Sequence, residues 1–365
     1  MTHVLVVNAG SSSLKLALLD DADEVVTQTT LERWSGEEET EDLARFIEKL
    51  PRIDAVGHRI VHGGAEFTAP VRLDGDVRDR IAGLAELAPL HQPRGVAGID
   101  AIASVLPDVP AIACFDTAFH HDLPAAAATY ALPKEWNERW GLRRYGFHGL
   151  SHAYVARRVA ELIGPDRRIV SCHLGSGASL AAITGERSVD TTMGFTPLAG
   201  LVMATRSGDL DPGLVLWLLH HAGVDADELS DVLEHRSGLA GLTGGSGDLR
   251  DVTDPLARDV YLHRLRREIA AMAAAMNGLD VLVFTGGVGE HQPDIRAAAA
   301  EGLAFLGVAV ADAANQAGAV DITAPAAAVR TLVLPAREDI EIARQVRSVV
   351  GKGLSTLPGD DHGPG

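Results

Sequence analysis

The chain has 365 residues, of which 46% are hydrophobic and 22% charged, and its formal net charge is −18. This length allows two domains with separate cores, and the acidic balance without a basic run argues against a nucleic-acid or anionic-membrane surface. The two cysteines, Cys114 and Cys172, lie in apolar segments, which favours buried reduced thiols over a disulfide or a metal pair. The N-terminus lacks a signal-peptide pattern and no segment reaches the ~18 apolar residues of a membrane span, so we expect a soluble cytoplasmic protein.

Strand and helix patterns alternate along the chain. Strands are predicted within 4–19, at 53–61 and 111–115, within 169–184, and at 281–285 and 330–334. Helices are predicted at 40–50, 77–88, 95–106, 151–163 (capped by Ser151), 211–221, 254–277, 294–306, 312–317 and 338–350. This alternation predicts an α/β fold with mixed sheets. The polar tail from Ser355, rich in Pro and Gly, is predicted to be disordered.

Segments 4–19 and 169–184 resemble each other. Each has an apolar strand, a Gly-Ser turn and a second apolar strand, and Gly10 aligns with Gly175. A short Gly-Ser turn lets the backbone approach an anion closely, with N–H groups and hydroxyls directed at it. The duplication therefore predicts two related lobes that close on one phosphate chain, as in a nucleotide phosphotransferase.

Two polar motifs lie in the first third of the chain. NAGSSSLK places Asn8, three serines and Lys15 directly after a strand, and its spacing is not that of a Walker A loop. In GHRIVHGG, Arg59 and Val61 share one face of a strand. A planar guanidinium there suits a carboxylate or a phosphate, although a solvated arginine at a strand end explains this motif equally well.

Further motifs carry single charged or titratable residues. Asp116 in FDTAFH ends a strand, where it could position a metal-bound water or cap a turn, and His148 in RYGFHG could donate to a developing anion or be structural. Arg206 in TRSGDLDP precedes a helix N-terminus, which favours anions. The glycine-rich segments 241–251 and 284–290 are weak signals separately, but with the hairpins and two arginines they indicate phosphate binding. HEXXH, CXXC and GxSxG spacings are absent, which argues against a zinc site and a serine nucleophile.

As an ordered set, these motifs closely resemble the acetate kinase family. The set is NAGSSSLK, GHRIVHGG, LAPLHQP, FDTAFH, RYGFHG, CHLGSG, MGFTPL, TRSGDLDP and FTGGVGE, from residue 4 to about residue 345. The resemblance implies the actin and sugar-kinase superfamily: an α/β fold of two duplicated ribonuclease-H-like domains with an active-site cleft between them. The implied domains are 1–117 with 338–352, a nucleotide-binding domain at 118–337, and a disordered tail at 353–365.

The resemblance also implies roles for individual residues. The catalytic residues would be Arg59, Asp116, His148 and Arg206, with His148 and Arg206 stabilising the transition state and His91 and His173 lining the site. The acetate site would comprise Arg59, Val61, Leu90, Phe147 and Pro197. Ser11, Ser12 and Ser13 would form a phosphate loop, and Asn8 and Glu338 a magnesium site. Nucleotide would be bound by Lys15, His173, Leu174, Gly175, Ser176, Gly177, Asp248, Leu249, Arg250, Gly286, Gly287, Val288, Gly289 and Glu290.

The implied reaction is reversible, Mg²⁺-dependent transfer of a phosphoryl group from ATP to acetate by direct in-line transfer, with Mn²⁺ as a possible substitute. The family also implies a homodimer, and it usually has Asn where this chain has Ser176. A propionate or butyrate kinase is the near alternative, against which Val61 argues because a larger acyl group would need a smaller residue. A non-catalytic, actin-like ATP-binding protein is the distant alternative, and it would not need Arg59, Arg206 and His148.

Overall fold

The computed structural model describes residues 3–10, 13–32, 34, 40–89 and 91–354. Its strands are β1 (Val4–Ala9), β2 (Ser13–Leu19), β3 (Val25–Glu32), β4 (Ala55–Ile60), β5 (Val71–Arg72), β6 (Ala111–Phe115), β7 (Arg168–Leu174), β8 (Ala178–Thr184), β9 (Arg187–Thr191), β10 (Val281–Thr285) and β11 (Arg330–Val333). Its helices are α1 (Thr40–Ile47), α2 (Gly75–Gly83), α3 (Gln92–Val105), α4 (Ala125–Ala128), α5 (Lys134–Trp140), α6 (Gly149–Ile163), α7 (Pro212–His221), α8 (Ala226–His235), α9 (Gly238–Thr243), α10 (Pro255–Ala275), α11 (Gly286–His291), α12 (Pro293–Glu301), α13 (Asp312–Gln316) and α14 (Glu338–Leu354).

The chain divides into two compact units, one made of Met1–Ala118 with Arg337–Gly365 and one of Phe119–Ala336. These boundaries lie one residue from the domain ends expected at 117 and 338. Helix α14 continues to Leu354, so the tail that we expected to start at 353 is helical for its first two residues. The rest of that expected tail lies outside the described residues.

The first unit is built on a mixed sheet with strand order β3-β2-β1-β4-β6-β5. Strands β1, β4 and β6 are parallel, while β2 and β3 add antiparallel strands to one side. Helix α14 covers the sheet so closely that a Cβ on Gly57 would lie 2.4 Å from Ile342, and α3 also packs against β1 and β4. Strand β4 can therefore pass under α14 because residue 57 has no side chain.

The second unit repeats this arrangement. Its sheet has the order β11-β10-β7-β8-β9, with β7, β10 and β11 parallel and β8 and β9 antiparallel. Strands β7 to β11 thus take the places of β1, β2, β3, β4 and β6, which confirms the duplicated fold predicted from the hairpin repeat. Helices α6 and α10 pack on this sheet.

The two hairpins differ in the length of their turns. Ala9 pairs with Leu14 across the first turn, whereas Leu174 pairs with Ala178 across the second. The second turn is therefore one residue shorter, and the sequence alignment of the repeats holds only up to Gly10 and Gly175.

Among the described residues, no helix combines the length and apolar character needed to cross a membrane.

Candidate active site

In the first unit, three predicted site residues meet near the carboxyl ends of adjacent parallel strands. Asn8 lies on β1, Arg59 on β4, and Asp116 directly after β6. Arg59 Nη2 donates to Asp116 Oδ2 at 2.6 Å, its Nε contacts both carboxylate oxygens at 3.2 Å, and its Nη1 donates to Asn8 Oδ1 at 3.1 Å. Burial opposes the charge on Arg59, but the carboxylates of Asp116 and Glu338 outweigh it and raise the pKa of Arg59. The guanidinium is therefore a fixed cation whose direction is set by Asp116, the more deeply buried partner.

The first unit also contains the predicted site residues Val61, Lys15, His91 and Glu338. Val61 follows β4 directly and is half-buried, Glu338 opens α14, and Lys15 is exposed on β2 opposite Asn8. The Ser13 carbonyl accepts from Gly10 N at 2.8 Å across the first turn. His91 is the residue before α3. The predicted residues Ser11, Ser12 and Leu90 lie outside the described residues.

In the second unit, Arg206 and His148 face the turn between β7 and β8. A Cβ on Gly177 would lie 3.4 Å from Arg206 Nη1 and 3.6 Å and 3.7 Å from His148 Cε1 and Nε2. Arg206 donates only weakly, to Pro197 O at 3.4 Å, and burial lowers its pKa, an effect that Glu234 partly offsets. The acceptors of Arg206 among the described residues are this carbonyl and Met203 Sδ at 3.9 Å rather than a carboxylate, so its charge is available for an anion.

The backbone and neighbours of His148 fix its ring. The residue is left-handed, with φ of 55°, a conformation that costs free energy outside glycine. Its Nδ1 is 3.0 Å from Ser179 Oγ, and its ring stacks on His173 at 4.4 Å between centroids. The preceding residue, Phe147, is 1% exposed. We expected Ser151 to cap helix α6, but the helix begins at Gly149 after His148, and the Ser151 hydroxyl instead lies 2.8 Å from His173 Nδ1.

A cavity of about 400 Å³ lies in the second unit beside the same turn. Seven residues predicted to bind nucleotide line it, namely Gly175, Ser176, Asp248, Leu249, Arg250, Gly287 and Val288. The exposed Ser176 side chain is at the turn, and its carbonyl accepts from Ala204 N at 3.0 Å. A Cβ added at Gly287 would have no other atom within 4 Å, so the space beside this glycine is open.

Other residues that were predicted to bind nucleotide lie near the cavity in the sequence but do not line it. Leu174 is fully buried, and Gly286 has a φ of 78° and so little room that a Cβ would lie 2.8 Å from Leu174 O. Glu290 accepts from Ala336 N at 2.9 Å. The remaining ones are His173, Gly177 and Gly289. Gly286 is needed for the path of the backbone beside the buried Leu174 rather than for contact with the cavity.

The cavity is also lined by residues to which the sequence analysis gave no individual role: Ala204, Thr205, Leu239, Gly247, Tyr261, His291 and Gln292. Ala204 and Thr205 directly precede Arg206, so the predicted role of Arg206 already pointed to this segment of the chain. Tyr261 lies in the middle of α10, in a segment without any motif. Its hydroxyl is buried and has no hydrogen-bond partner among the described residues, and burial raises its pKa.

Comparison with known proteins identifies the family. A sequence model of the acetokinase family matches residues 39–344. The acetate kinase of Bacillus subtilis is 41% identical, covering 95% of this chain and 99% of its own. The acetate kinase of Nostoc punctiforme is 43% identical, and the match covers 93% of this chain and 98% of that protein. The chain belongs to the acetokinase family. The family expected from the motifs is therefore confirmed.

Solved structures of acetokinase-type proteins share the fold. Porphyromonas gingivalis acetate kinase superposes with a TM-score of 0.88 at 35% identity, covering 96% of this chain and 100% of its own. A propionate kinase from Francisella tularensis superposes with a TM-score of 0.89 at 33% identity, covering 95% of this chain and 100% of its own. These likenesses confirm the predicted fold class.

Proposed function

We propose that the chain is an acetate kinase, which transfers the terminal phosphoryl group of ATP to acetate and forms acetyl phosphate and ADP reversibly. One observation in the second unit carries the proposal. The turn at 175–177 lines the 400 Å³ cavity with Gly175 and Ser176, and its Gly177 faces Arg206 and His148. A nucleotide in this cavity would extend its phosphates along the turn towards a cation and an imidazole.

The chemistry requires charge stabilisation and positioning rather than proton transfer. A carboxylic acid such as acetic acid is ionised at pH 7, so a carboxylate oxygen can attack the γ-phosphorus while the bond to the bridging oxygen of ADP breaks. We assign Arg59, oriented by Asp116, to binding the acetate carboxylate. We assign Arg206 and His148 to the oxygens of the transferring group, where a preorganised donor is typically worth ~3–4 kcal/mol.

The acyl pocket and the metal site are further parts of this proposal. Val61, Leu90, Phe147 and Pro197 would receive the methyl group. Mg²⁺ prefers hard oxygen ligands and is commonly held by one or two carboxylates together with substrate phosphates. The Asn8 amide oxygen and the Glu338 carboxylate near Arg59 are such donors, and the metal would neutralise phosphate charge. Among the described residues, no group of three or more His, Cys, Asp or Glu side chains could hold a metal ion by itself.

We also propose a cytoplasmic homodimer without nucleic-acid or membrane partners. The dimer rests on the family resemblance. The absence of such partners is supported by the net charge of −18, which repels phosphate-rich surfaces. The cytoplasmic location is supported by two buried free cysteines.

An acyl-phosphate assay with hydroxylamine tests the function directly. Purified protein, ATP and Mg²⁺ should yield acyl hydroxamate with acetate, less with propionate and least with butyrate, and chelation of the metal should abolish the product. Higher kcat/KM with propionate would assign the chain to the propionate-kinase alternative. Binding of ATP without any acyl phosphate would favour the actin-like alternative.

A further inference from the structure

Behind His148, a chain of hydrogen bonds runs into the core of the second unit. His148 Nδ1 lies 3.0 Å from Ser179 Oγ, which lies 2.8 Å from His152 Nε2, and His152 Nδ1 lies 2.9 Å from Ser171 Oγ. Ser171 is on β7, Ser179 on β8 and His152 on α6, and all three are fully buried. Buried polar groups cost free energy unless they are hydrogen-bonded, so these three residues are committed to one another and to His148.

The number of protons available restricts which atom donates in each of these hydrogen bonds. Burial lowers the pKa of His152 well below its ordinary value, so its ring is neutral and carries one proton. A neutral ring donates through one nitrogen and accepts through the other, and each serine has one proton to donate. If Ser179 accepted from both rings, its own buried proton would have no acceptor, which is costly. Ser179 therefore donates to one ring and accepts from the other, and the bonds all run towards His148 or all run away from it.

The anion-binding side of His148 decides between the two directions. Its Nε2 and the Arg206 guanidinium face the same space beside Gly177. If the bonds run towards His148, its Nδ1 accepts from Ser179 and its own proton lies on Nε2, where it can donate to a phosphoryl oxygen. In the opposite direction a neutral His148 would carry its proton on Nδ1, and its Nε2 lone pair would face the incoming anion, which is repulsive.

We propose that Ser179 and His152, supported by Ser171, are positioning residues that hold His148 as the neutral tautomer with its proton on Nε2. This inference deepens the proposed function, because it explains how His148 is prepared for the transferring phosphoryl group. It concerns the tautomer of one ring, which can be measured without turnover.

The test combines ¹⁵N NMR of labelled histidines with kinetics. In the wild-type protein, with the His148 resonances assigned by their loss in His148→Gln, we expect Nε2 to be protonated and Nδ1 to be the unprotonated acceptor. Ser179→Ala should produce a mixture of tautomers and lower kcat about tenfold, the lower end of the loss found when the hydrogen-bond partner of a metal-ligating histidine is removed, with little change in KM for ATP. Ser171→Ala leaves the Ser179 hydroxyl in place and should shift the same resonances with a smaller fall in kcat.

Thr331→Val is the matched control, because Thr331 is also a fully buried hydroxyl residue of the second unit, and its Oγ1 has no hydrogen-bond partner among the described residues. It should leave the tautomer of His148 and kcat unchanged. A wild-type His148 protonated on Nδ1 would overturn the inference, as would an unchanged tautomer in both Ser179→Ala and Ser171→Ala. The NMR result is independent of the hydroxamate assay, so loss of the proposed function and loss of this inference are distinguishable.

Discussion

The two arginines of the candidate site have different electrostatic surroundings. Arg59 is paired with Asp116 at 2.6 Å, which holds its direction and offsets its charge. The shortest hydrogen bond of Arg206 among the described residues is to the Pro197 carbonyl at 3.4 Å, and burial lowers the pKa of Arg206. A poorly compensated cation gains most from an incoming anion, so we propose that Arg206 binds the phosphoryl group and that Arg59, oriented by Asp116, binds acetate.

We therefore expect Arg206→Ala to lower kcat at least ~10²-fold, the effect of removing one transition-state donor. Circular dichroism should show an intact fold. Arg187→Ala is the control, because Arg187 is exposed in the same unit, and it should retain normal kcat. Near-normal turnover in Arg206→Ala would exclude a role for this guanidinium in transfer.

Val61→Ala should raise the ratio of kcat/KM for propionate to that for acetate. Val61 is half-buried two residues after Arg59, so removing its two methyl groups opens space for about one methylene, worth ~1–3 kcal/mol in discrimination. Val71→Ala, also at a half-buried valine of the first unit, should leave the ratio unchanged. If the Val61 variant shows the wild-type ratio, this residue does not line the acyl pocket.

His58 should make the protein sensitive to acid. Burial lowers its pKa from 6.5 to about 3, and its Nε2 has no partner among the described residues. Below pH 6.5 the unfolded chain takes up a proton that the native ring does not, so stability falls as the pH drops from 6.5 towards 3, by about 1.4 kcal/mol per pH unit.

Urea unfolding at pH 7 and pH 5 measures this effect. Between these pH values the free energy of unfolding of His58→Leu should fall by about 2 kcal/mol less than that of the wild type. His235→Leu replaces an exposed histidine, and its free energy of unfolding should fall as much as that of the wild type. If the free energy of unfolding of His58→Leu falls as much as that of the wild type, groups other than His58 cause the sensitivity to acid.

At the scale of elements, the turn between β7 and β8 does two things. Its first two residues line the cavity, and its third, Gly177, leaves open the space faced by Arg206 and His148. The corresponding turn between β1 and β2 is one residue longer. A duplicated hairpin thus supplies the framework, while the length and side chains of each turn are particular to its unit.

Gly177→Ala should therefore fold but transfer phosphate poorly. Its Cβ would be at ordinary contact distance, 3.4 Å from Arg206 and 3.6 Å from His148, and so would fill the space without a backbone clash. Because displacement of a reacting group by about 1 Å can cost 10²-fold, we expect a kcat loss of that order. Gly75→Ala, where nothing lies within 4 Å of the new Cβ, is the control. Normal kcat in Gly177→Ala would place the phosphoryl group elsewhere.

On the scale of the whole molecule, each unit contains one buried cysteine, in a strand that has a neighbour on both sides. Cys114 lies on β6 and Cys172 on β7, and both are fully buried. Burial raises the pKa of both thiols, and the thiolate is the reactive form. Each cysteine should react with iodoacetamide only when its own unit opens.

Mass spectrometry of the labelled cysteines should reveal which unit binds nucleotide. ATP at 100 times its Kd should slow labelling of Cys172 about 100-fold, since a ligand that binds only the folded form reduces opening in proportion to its saturation. Cys114, outside the unit that holds the cavity, should be slowed much less. Equal slowing of both would mean that the two units open together, and slowing of Cys114 alone would contradict the cavity assignment.

Sequence by itself determined the elements that depend on local pattern. Strands β6 and β10 have the predicted bounds, because short apolar runs between polar boundaries are what buried parallel strands require. Helices α7 and α10 begin after Asp211 and Asp254, whose side chains accept from Gly213 N and Ala257 N. The repeat and the ordered motifs gave the fold class and the family for the same reason: their information lies in neighbouring residues.

Only the tertiary structure decided what depends on residues distant in sequence. Ser151 looked like a helix cap, yet its hydroxyl reaches His173 because strand β7 packs beside helix α6. Tyr261 was absent from every motif, and it lines the cavity because α10 crosses the sheet there. The bonds from His148 to Ser179 and from Ser179 to His152 span 31 and 27 residues. Local propensity contains no information about such pairs, since they form only when the packing of sheet and helices brings them together.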